Sequence, residues 1–206
     1  MPAALTPTRI ADDVFEFRVG SSRDAQTLAR ELQSAELAED VVAGLDRVCV
    51  RFEPAKFGEV QTWLADVSLP NRADQVTRAI IEIPVKYGGE QGPDLDAICE
   101  TLQLSREAFV ELHTQAIHQV EMIGFTPGFS YLSRLPDGFA IPRLSTPRPR
   151  VAAGSVGISA AYTGLYALAG PGGWPLIGRT DAPLFDVSSE TPFLLQPGQS
   201  VKFMAA

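Results

Sequence analysis

A chain of 206 residues with 45% hydrophobic content is long enough for one large domain or two small ones, and it carries enough apolar side chains for a buried core. Lys and Arg number 17 against 25 Asp and Glu, a formal charge of −8 that favours solubility and argues against general affinity for nucleic acid or an anionic membrane. Cys49 and Cys99 lie far apart with no CxxC, and His113 and His118 are the only other soft ligands, so neither a disulfide framework nor a metal site is expected.

From Met1 to Arg9 the chain has neither the basic start nor the apolar run of a secretory signal. No stretch approaches the roughly 20 apolar residues that cross a bilayer, so a cytoplasmic protein is expected. Val14 to Val19 alternates, with Phe15, Phe17 and Val19 on one face, as in a half-buried strand. Ser21 or Ser22 can cap a helix whose Ala25, Leu28, Ala29, Leu32 and Ala35 form one stripe, with Asp24 near the favourable end of its dipole. Asp40 to Ala43 and Arg47 to Phe52 read as an antiparallel pair joined around Gly44. Phe57, Val60, Leu64 and Val67 mark a second amphipathic helix ending before Pro70, and Thr77 to Val85 alternates once more. The order β-α-β-β-α-β predicts a small α+β domain of the ferredoxin-like, split βαβ type over residues 1–84.

Beyond the Gly88-to-Leu95 loop, Asp94 is placed to cap a helix through Leu102, and Ser105 to cap another through Gln115. His113 falls near the C-terminus of that second helix, where the dipole favours its charged form. From Val120 onward, short apolar runs alternate with glycine and proline: Val120–Phe125, Val156–Ala160, Leu165–Ala169, Pro175–Ile177 and Ser200–Met204. This is the pattern of an irregular β-barrel, so residues 85–206 read as a mainly β domain with two short helices at its start.

Three glycine- and proline-rich stretches in this second domain stand out. Gly124 to Leu132 (GFTPGFSYL) sets Phe125, Phe129 and Tyr131 on a shaped loop; Pro142 to Arg150 spaces Arg143, Arg148 and Arg150 with prolines; and Gly170 to Thr180 surrounds Trp174 and Arg179 with glycines. Guanidinium forks held at limited freedom suit carboxylate or phosphate groups, and the three stretches suggest the lining of one pocket. The plainer alternative is that barrels turn at glycine and proline anyway, and that aromatic residues near turns plug a barrel end.

Together these segments resemble the family of 5-oxoprolinase B subunits, also called allophanate hydrolase subunit 1, which includes a histidine-kinase inhibitor and is related to the carboxyltransferase domain of urea carboxylase. The matching pieces are Ile83 to Leu95 (IPVKYGGEQGPDL), Leu112-His113, the GFTPGFSYL loop, Thr146-Pro147-Arg148, Ala153 to Val156, Thr163-Gly164-Leu165-Tyr166, and Pro171 to Thr180. The resemblance implies a cyclophilin-like barrel for the second domain and adds Thr163 and Tyr166 to the candidate substrate-binding residues. Ser130, Gln91, Thr126, Gly170 and His118 depart from the commoner family residues.

For chemistry, Glu90 and His113 are the candidate acid–base groups. Glu90 emerges from a constrained turn together with Asp94, whose plainer role is helix capping, and His113 is either a base titrating near neutrality or a packing residue facing Phe109. Arg143, Arg148, Arg150 and Arg179 are candidate anion contacts. Ser155 lacks the full G-x-S-x-G elbow, and the chain has no GxxxxGKS/T loop, no GxGxxG after a strand and no HExxH, so it does not read as a self-sufficient ATPase, dehydrogenase or protease. The resemblance implies a component of an ATP-dependent 5-oxoprolinase, with ATP as co-substrate, no permanently bound cofactor, and the A and C subunits of that enzyme as partners. The alternatives are a regulatory module that inhibits a histidine kinase, a carboxyltransferase component and, last, a prolyl isomerase, since a fold does not confer chemistry.

Overall fold

The computed structural model describes residues 5–69, 79–135, 141–160 and 162–206. The chain divides into two compact units, Met1–Thr77 and Arg78–Ala206.

The first unit is one sheet with helices packed on it. Strands β1 (Thr8–Ala11), β2 (Val14–Arg18), β3 (Asp40–Ala43) and β4 (Arg47–Arg51) lie in the order β1-β2-β4-β3, and every pairing is antiparallel. Helix α1 (Ser22–Gln33) starts where Ser21 Oγ accepts from the Asp24 amide at 3.2 Å, and it buries Ala25, Leu28, Ala29 and Leu32 of the expected stripe, while Ala35 lies beyond its end. Helix α2 (Phe57–Ala65) follows a 3-10 turn at Pro54–Lys56 and buries Val60 and Leu64. Phe15 stacks on Phe52 at 5.4 Å and on Phe57 at 6.0 Å in the core between the layers. Each such buried aromatic or aliphatic side chain contributes about 1.5–3 kcal/mol relative to exposure.

The alternating run at the end of the expected first domain does not join this sheet. Part of it, Thr77 and Arg78, lies outside the described residues, and the rest continues into β5 (Ile81–Tyr87), a barrel strand. Its alternation is real, with Ile83 and Val85 buried, but alternation names a half-buried strand without naming the sheet that buries it. The edge beside β2 is taken instead by β1, a strand too short and too exposed to declare itself by pattern.

In the second unit, helices α3 (Leu95–Leu102) and α4 (Arg106–Gln115) come after β5. The strands that follow are β6 (Ile117–Ile123), β7 (Ser130–Arg134), β8 (Arg148–Val151), β9 (Ser155–Ser159), β10 (Tyr162–Leu165), β11 (Gly170–Gly172), β12 (Leu176–Arg179) and β13 (Ser200–Ala205). A closed barrel is made by β5 and six of these in the order β10-β7-β6-β13-β5-β12-β9, with β9 returning to β10. All pairings in it are antiparallel except β13 with β5. Ile83, Val85, Val120, Leu132, Val156, Ile158, Leu165, Ile177, Val201 and Phe203 are all buried in its core, and α3 and α4 add Leu95, Ile98 and Phe109. The barrel expected from the glycine–proline rhythm is present.

Two segments that read as loops carry strands. Ser130–Arg134, the end of the GFTPGFSYL stretch, is β7, and the proline-dense Arg148–Val151 is β8, which among the described residues pairs only with β11, in a two-stranded ribbon. A strand with one partner tolerates Pro149 because the missing N–H is needed by no second neighbour.

Candidate functional site

The three stretches singled out by composition meet. β7 carries Tyr131 from the first, β8 carries Arg148 from the second, and Trp174 lies between β11 and β12 in the third. Phe129 is the hub: its ring sits edge-on to Tyr131 at 4.8 Å, Tyr166 at 4.9 Å, Phe125 at 5.5 Å and Trp174 at 5.7 Å. Tyr131 and Trp174 are 5.7 Å apart. Phe129, Tyr166, Val151 and Leu176 form a buried cluster separate from the main barrel core, and Tyr131 and Trp174 pack against it half-buried.

Two glycines make this packing possible. A Cβ at Gly164 would stand 2.7 Å from Trp174 Cζ3 and 2.8 Å from Phe129 Cζ, and one at Gly172 would stand 2.6 Å from the Tyr166 hydroxyl. The aromatic rings occupy the space that any other residue's side chain would take. At the exposed edge, Phe125 has φ 74° and is 63% exposed, an unfavourable backbone state for a bulky residue that turns its ring outward.

Two of the four arginines join this wall. The Leu144 amide donates to the Gly173 carbonyl at 2.8 Å, tying the Arg143 loop to the Trp174 loop. Arg143 Nη2 and Nε lie 3.3 and 3.4 Å from where a Gly173 Cβ would be. Burial pushes the Tyr131 and Tyr166 hydroxyls up, so both stay protonated, and the Arg143 guanidinium works against that rise in each. For Tyr166 the Trp174 backbone and Arg148 also oppose it. Arg148 Nη2 donates to Asp94 Oδ1 at 2.7 Å, while Asp94 Oδ2 accepts from the Leu176 amide at 2.6 Å.

The remaining candidates lie elsewhere. Arg150 is exposed on β8, and Arg179, at the end of β12 remote from Trp174, donates through Nε to the Ala153 carbonyl at 2.9 Å. Glu90 is exposed in the Gly88-to-Gly92 turn and has no hydrogen-bond or ion-pair partner among the described residues. Thr163 is fully buried and its Oγ1 lies 3.0 Å from His113 Nε2.

His113 is not charged by its helix end. It is 1% exposed, its Nδ1 is 2.7 Å from the Tyr87 hydroxyl, and its ring stacks on Phe203 at 4.6 Å. Whichever ring nitrogen carries the proton, a hydroxyl is there to complement it. Burial, with His118 as a lesser cause, holds its pKa well below the usual value. A helix terminus offers about 0.3–2 kcal/mol to a cation, less than the cost of an unpaired charge in an apolar core.

The sequence offered Asp94 as a helix cap or, with Glu90, as one of two carboxylates on a constrained turn. It does hold the N-cap position of α3, but its side chain makes no capping bond, because the carboxylate is engaged by Arg148 and Leu176. Nothing in the sequence links positions 94 and 148. Among the described residues no group of three or more His, Cys, Asp or Glu is arranged to hold a metal ion, and no helix is long and apolar enough to cross a membrane.

Comparison with known proteins agrees over nearly the whole chain. Residues 11–195 match the carboxyltransferase domain, subdomain C and D, family. The B subunit of 5-oxoprolinase from Haemophilus influenzae is 40% identical over 192 residues, spanning 90% of this chain and 88% of that protein. Its Bacillus subtilis counterpart is 48% identical over 130 residues, 63% of this chain and 54% of that protein. Among solved structures, TTHA0988 superposes with a TM-score of 0.81 at 34% identity over 94% of this chain, which spans 40% of that longer one. With identity at this level along almost its full length, the chain belongs to the family of 5-oxoprolinase B subunits.

Proposed function

We propose that the chain is the B subunit of an ATP-dependent 5-oxoprolinase, opening the lactam of 5-oxo-L-proline to L-glutamate as ATP becomes ADP and phosphate, and that it works only with the A and C subunits. The observation that carries this is the 40% identity to a 5-oxoprolinase B subunit across 90% of this chain and 88% of that one. The chemistry is consistent with the wall. Amide resonance makes a lactam carbonyl a poor electrophile, and phosphorylation of its oxygen creates a leaving group before water attacks. That route needs cations for the oxyanions and a base for water. Arg143 and Arg148, beside the rings of Phe129, Tyr131, Tyr166 and Trp174, supply cations and flat apolar faces, and the exposed Phe125 extends that face outward. Arg150 and Arg179 are reserved for contacts that a partner completes. Glu90, exposed and unpartnered among the described residues, is the carboxylate available as base, whereas His113 and Thr163 support the core beneath the wall.

ATP enters as a co-substrate of the complex, since this sequence has no phosphate-binding glycine loop of its own. The finer fold assignment belongs to the same reading. The first unit is a ferredoxin-like layer in which β1, antiparallel to β2, takes the edge that the fourth strand of a split βαβ would occupy, and the barrel is cyclophilin-like. The protein is taken to be cytoplasmic. Co-expression with the A and C subunits, followed by measurement of 5-oxoproline-dependent ATP hydrolysis, tests the function. Turnover by the complex and none by this chain alone is the expected result, and a complex that assembles yet hydrolyses no ATP in response to 5-oxoproline overturns it.

A second reading, carboxyl transfer, is favoured by the description of the matched family. It requires a biotin carrier, and transfer from a carboxylated carrier to urea in the reconstituted system would displace the first reading.

A further inference from the structure

Asp94 occupies a helix N-cap yet leaves the cap unmade. An aspartate in that place ordinarily accepts from the first-turn amides, so a carboxylate turned away from them is held by something stronger. Here both oxygens face the wall, Oδ1 on Arg148 Nη2 at 2.7 Å and Oδ2 on the Leu176 amide at 2.6 Å. The side chains of Arg148 and Asp94 are 29% and 19% exposed, so the pair is sheltered from solvent competition.

The pairing is lopsided. A carboxylate and a guanidinium commonly meet fork to fork, each giving two contacts. Asp94 gives Arg148 one oxygen only, and the other is taken by the backbone at the start of β12. Arg148 Nη1 is left buried with no hydrogen-bond partner, the one such side-chain nitrogen or oxygen among the described residues. A buried donor of this kind carries its full desolvation cost until an acceptor arrives.

The surroundings say what that acceptor is. Arg148 lies opposite Gly172 across the β8–β11 ribbon, Gly172 abuts the Tyr166 hydroxyl, and Leu176 packs with Phe129 and Tyr166. Asp94 cancels the charge of Arg148, but Arg143 has no ion-pair or hydrogen-bond partner among the described residues, so the wall keeps a net positive charge. We propose that Asp94 is a positioning residue that anchors Arg148 to the β12 backbone so that Nη1 is presented, unpaired, to an oxyanion of a small-molecule substrate. This rests on the reading that the wall binds substrate. The shared chemistry is an oxygen anion, from either the carboxylate of 5-oxoproline or a phosphoryl group.

The test uses the full chain and two probes, 5-oxo-L-proline and inorganic phosphate, titrated separately by calorimetry. Wild type is expected to bind one of them saturably, and which one identifies the source of the oxyanion. Arg148→Lys retains a cation for Asp94 but lacks the second nitrogen of the fork, and it is expected to weaken that binding by about tenfold or more while the melting temperature holds. Asp94→Asn is expected to weaken it similarly. Because Asp94 acts through Arg148, the double variant Asp94→Asn/Arg148→Lys should bind no worse than Arg148→Lys alone, a non-additivity that a merely structural role would not produce. Saturable binding of neither probe, equal binding by wild type and Arg148→Lys, or fully additive losses in the double variant would overturn the proposal. Binding is read without partners or turnover, so a reconstituted complex that lacks 5-oxoproline-dependent ATP hydrolysis while probe binding persists rejects the functional reading and leaves this one standing.

Discussion

His113 and Arg148 illustrate two opposite ways of burying a polar side chain. His113 has an acceptor or donor at each ring nitrogen, from Tyr87 and Thr163, and sits in the core as a neutral ring. Arg148 is half-satisfied: Nη2 donates to Asp94, while Nη1 is buried with no hydrogen-bond partner. The histidine arrangement has a measurable consequence. His118, whose Nε2 donates to the His113 carbonyl at 3.2 Å, is likewise held below its usual pKa by burial. Folded-state pKa values depressed below 6.5 mean that both states are neutral above that pH, whereas below it the unfolded chain takes up protons that the folded chain refuses. Stability therefore falls on acidification, by up to about 1.4 kcal/mol per pH unit for each histidine. Urea unfolding at pH 7.5, 6.5 and 5.5 should show this fall, and His118→Gln should have the shallower slope between the last two. Parallel slopes in the two proteins would show that His118 does not contribute to the acid sensitivity.

At the scale of elements, strand β10 does two jobs with adjacent residues. Thr163 points into the core to meet His113, while Gly164 offers its bare face to Trp174 and Phe129. Successive residues of a strand face opposite sides, so one short strand couples the interior to the wall. Gly164→Ala is expected to destabilise the protein by about 1–3 kcal/mol, because a methyl group 2.7 Å from an indole carbon forces the ring or the strand to move. Chemical denaturation measures this, and a loss below about 0.5 kcal/mol would mean that Trp174 shifts aside freely. The helices were legible in place and number, though α1 ends at Gln33 and α2 at Ala65, short of the expected Ala35 and Val67, and Asp94 does not cap α3 with its side chain. Ser21 and Ser105 both cap as their sequences suggest, accepting from the amides of Asp24 and Ala108, because a cap is decided within four residues. Strands β7 and β8 were not, since glycine, proline and serine between aromatic and basic residues look like loop material until a neighbour supplies the hydrogen bonds.

For the whole molecule, the two units each enclose their own hydrophobic core, one around Phe15, Phe17 and Phe52 and the other around the barrel residues. Residues 78–206 expressed alone are expected to unfold in a single cooperative transition with near-ultraviolet signals from fixed aromatic side chains, as an independent core implies. A gradual melt without those signals would show that the barrel depends on the first unit. Composition, periodicity and capping residues determined by themselves that there is an α+β half and a β-barrel half, where most helices lie, and that the three glycine-rich stretches with their rings and arginines are the unusual part of the chain. Those signals are local, carried by residues within one turn or one strand. Only the tertiary structure decided that the strand at Ile81–Tyr87 belongs to the barrel, that Arg143 and Arg148 stand at the wall while Arg179 turns to Ala153, and that Asp94 serves Arg148. Each of these is a contact between residues far apart in sequence, made when the barrel closes, and no local pattern encodes which distant partner satisfies a given strand edge or charge.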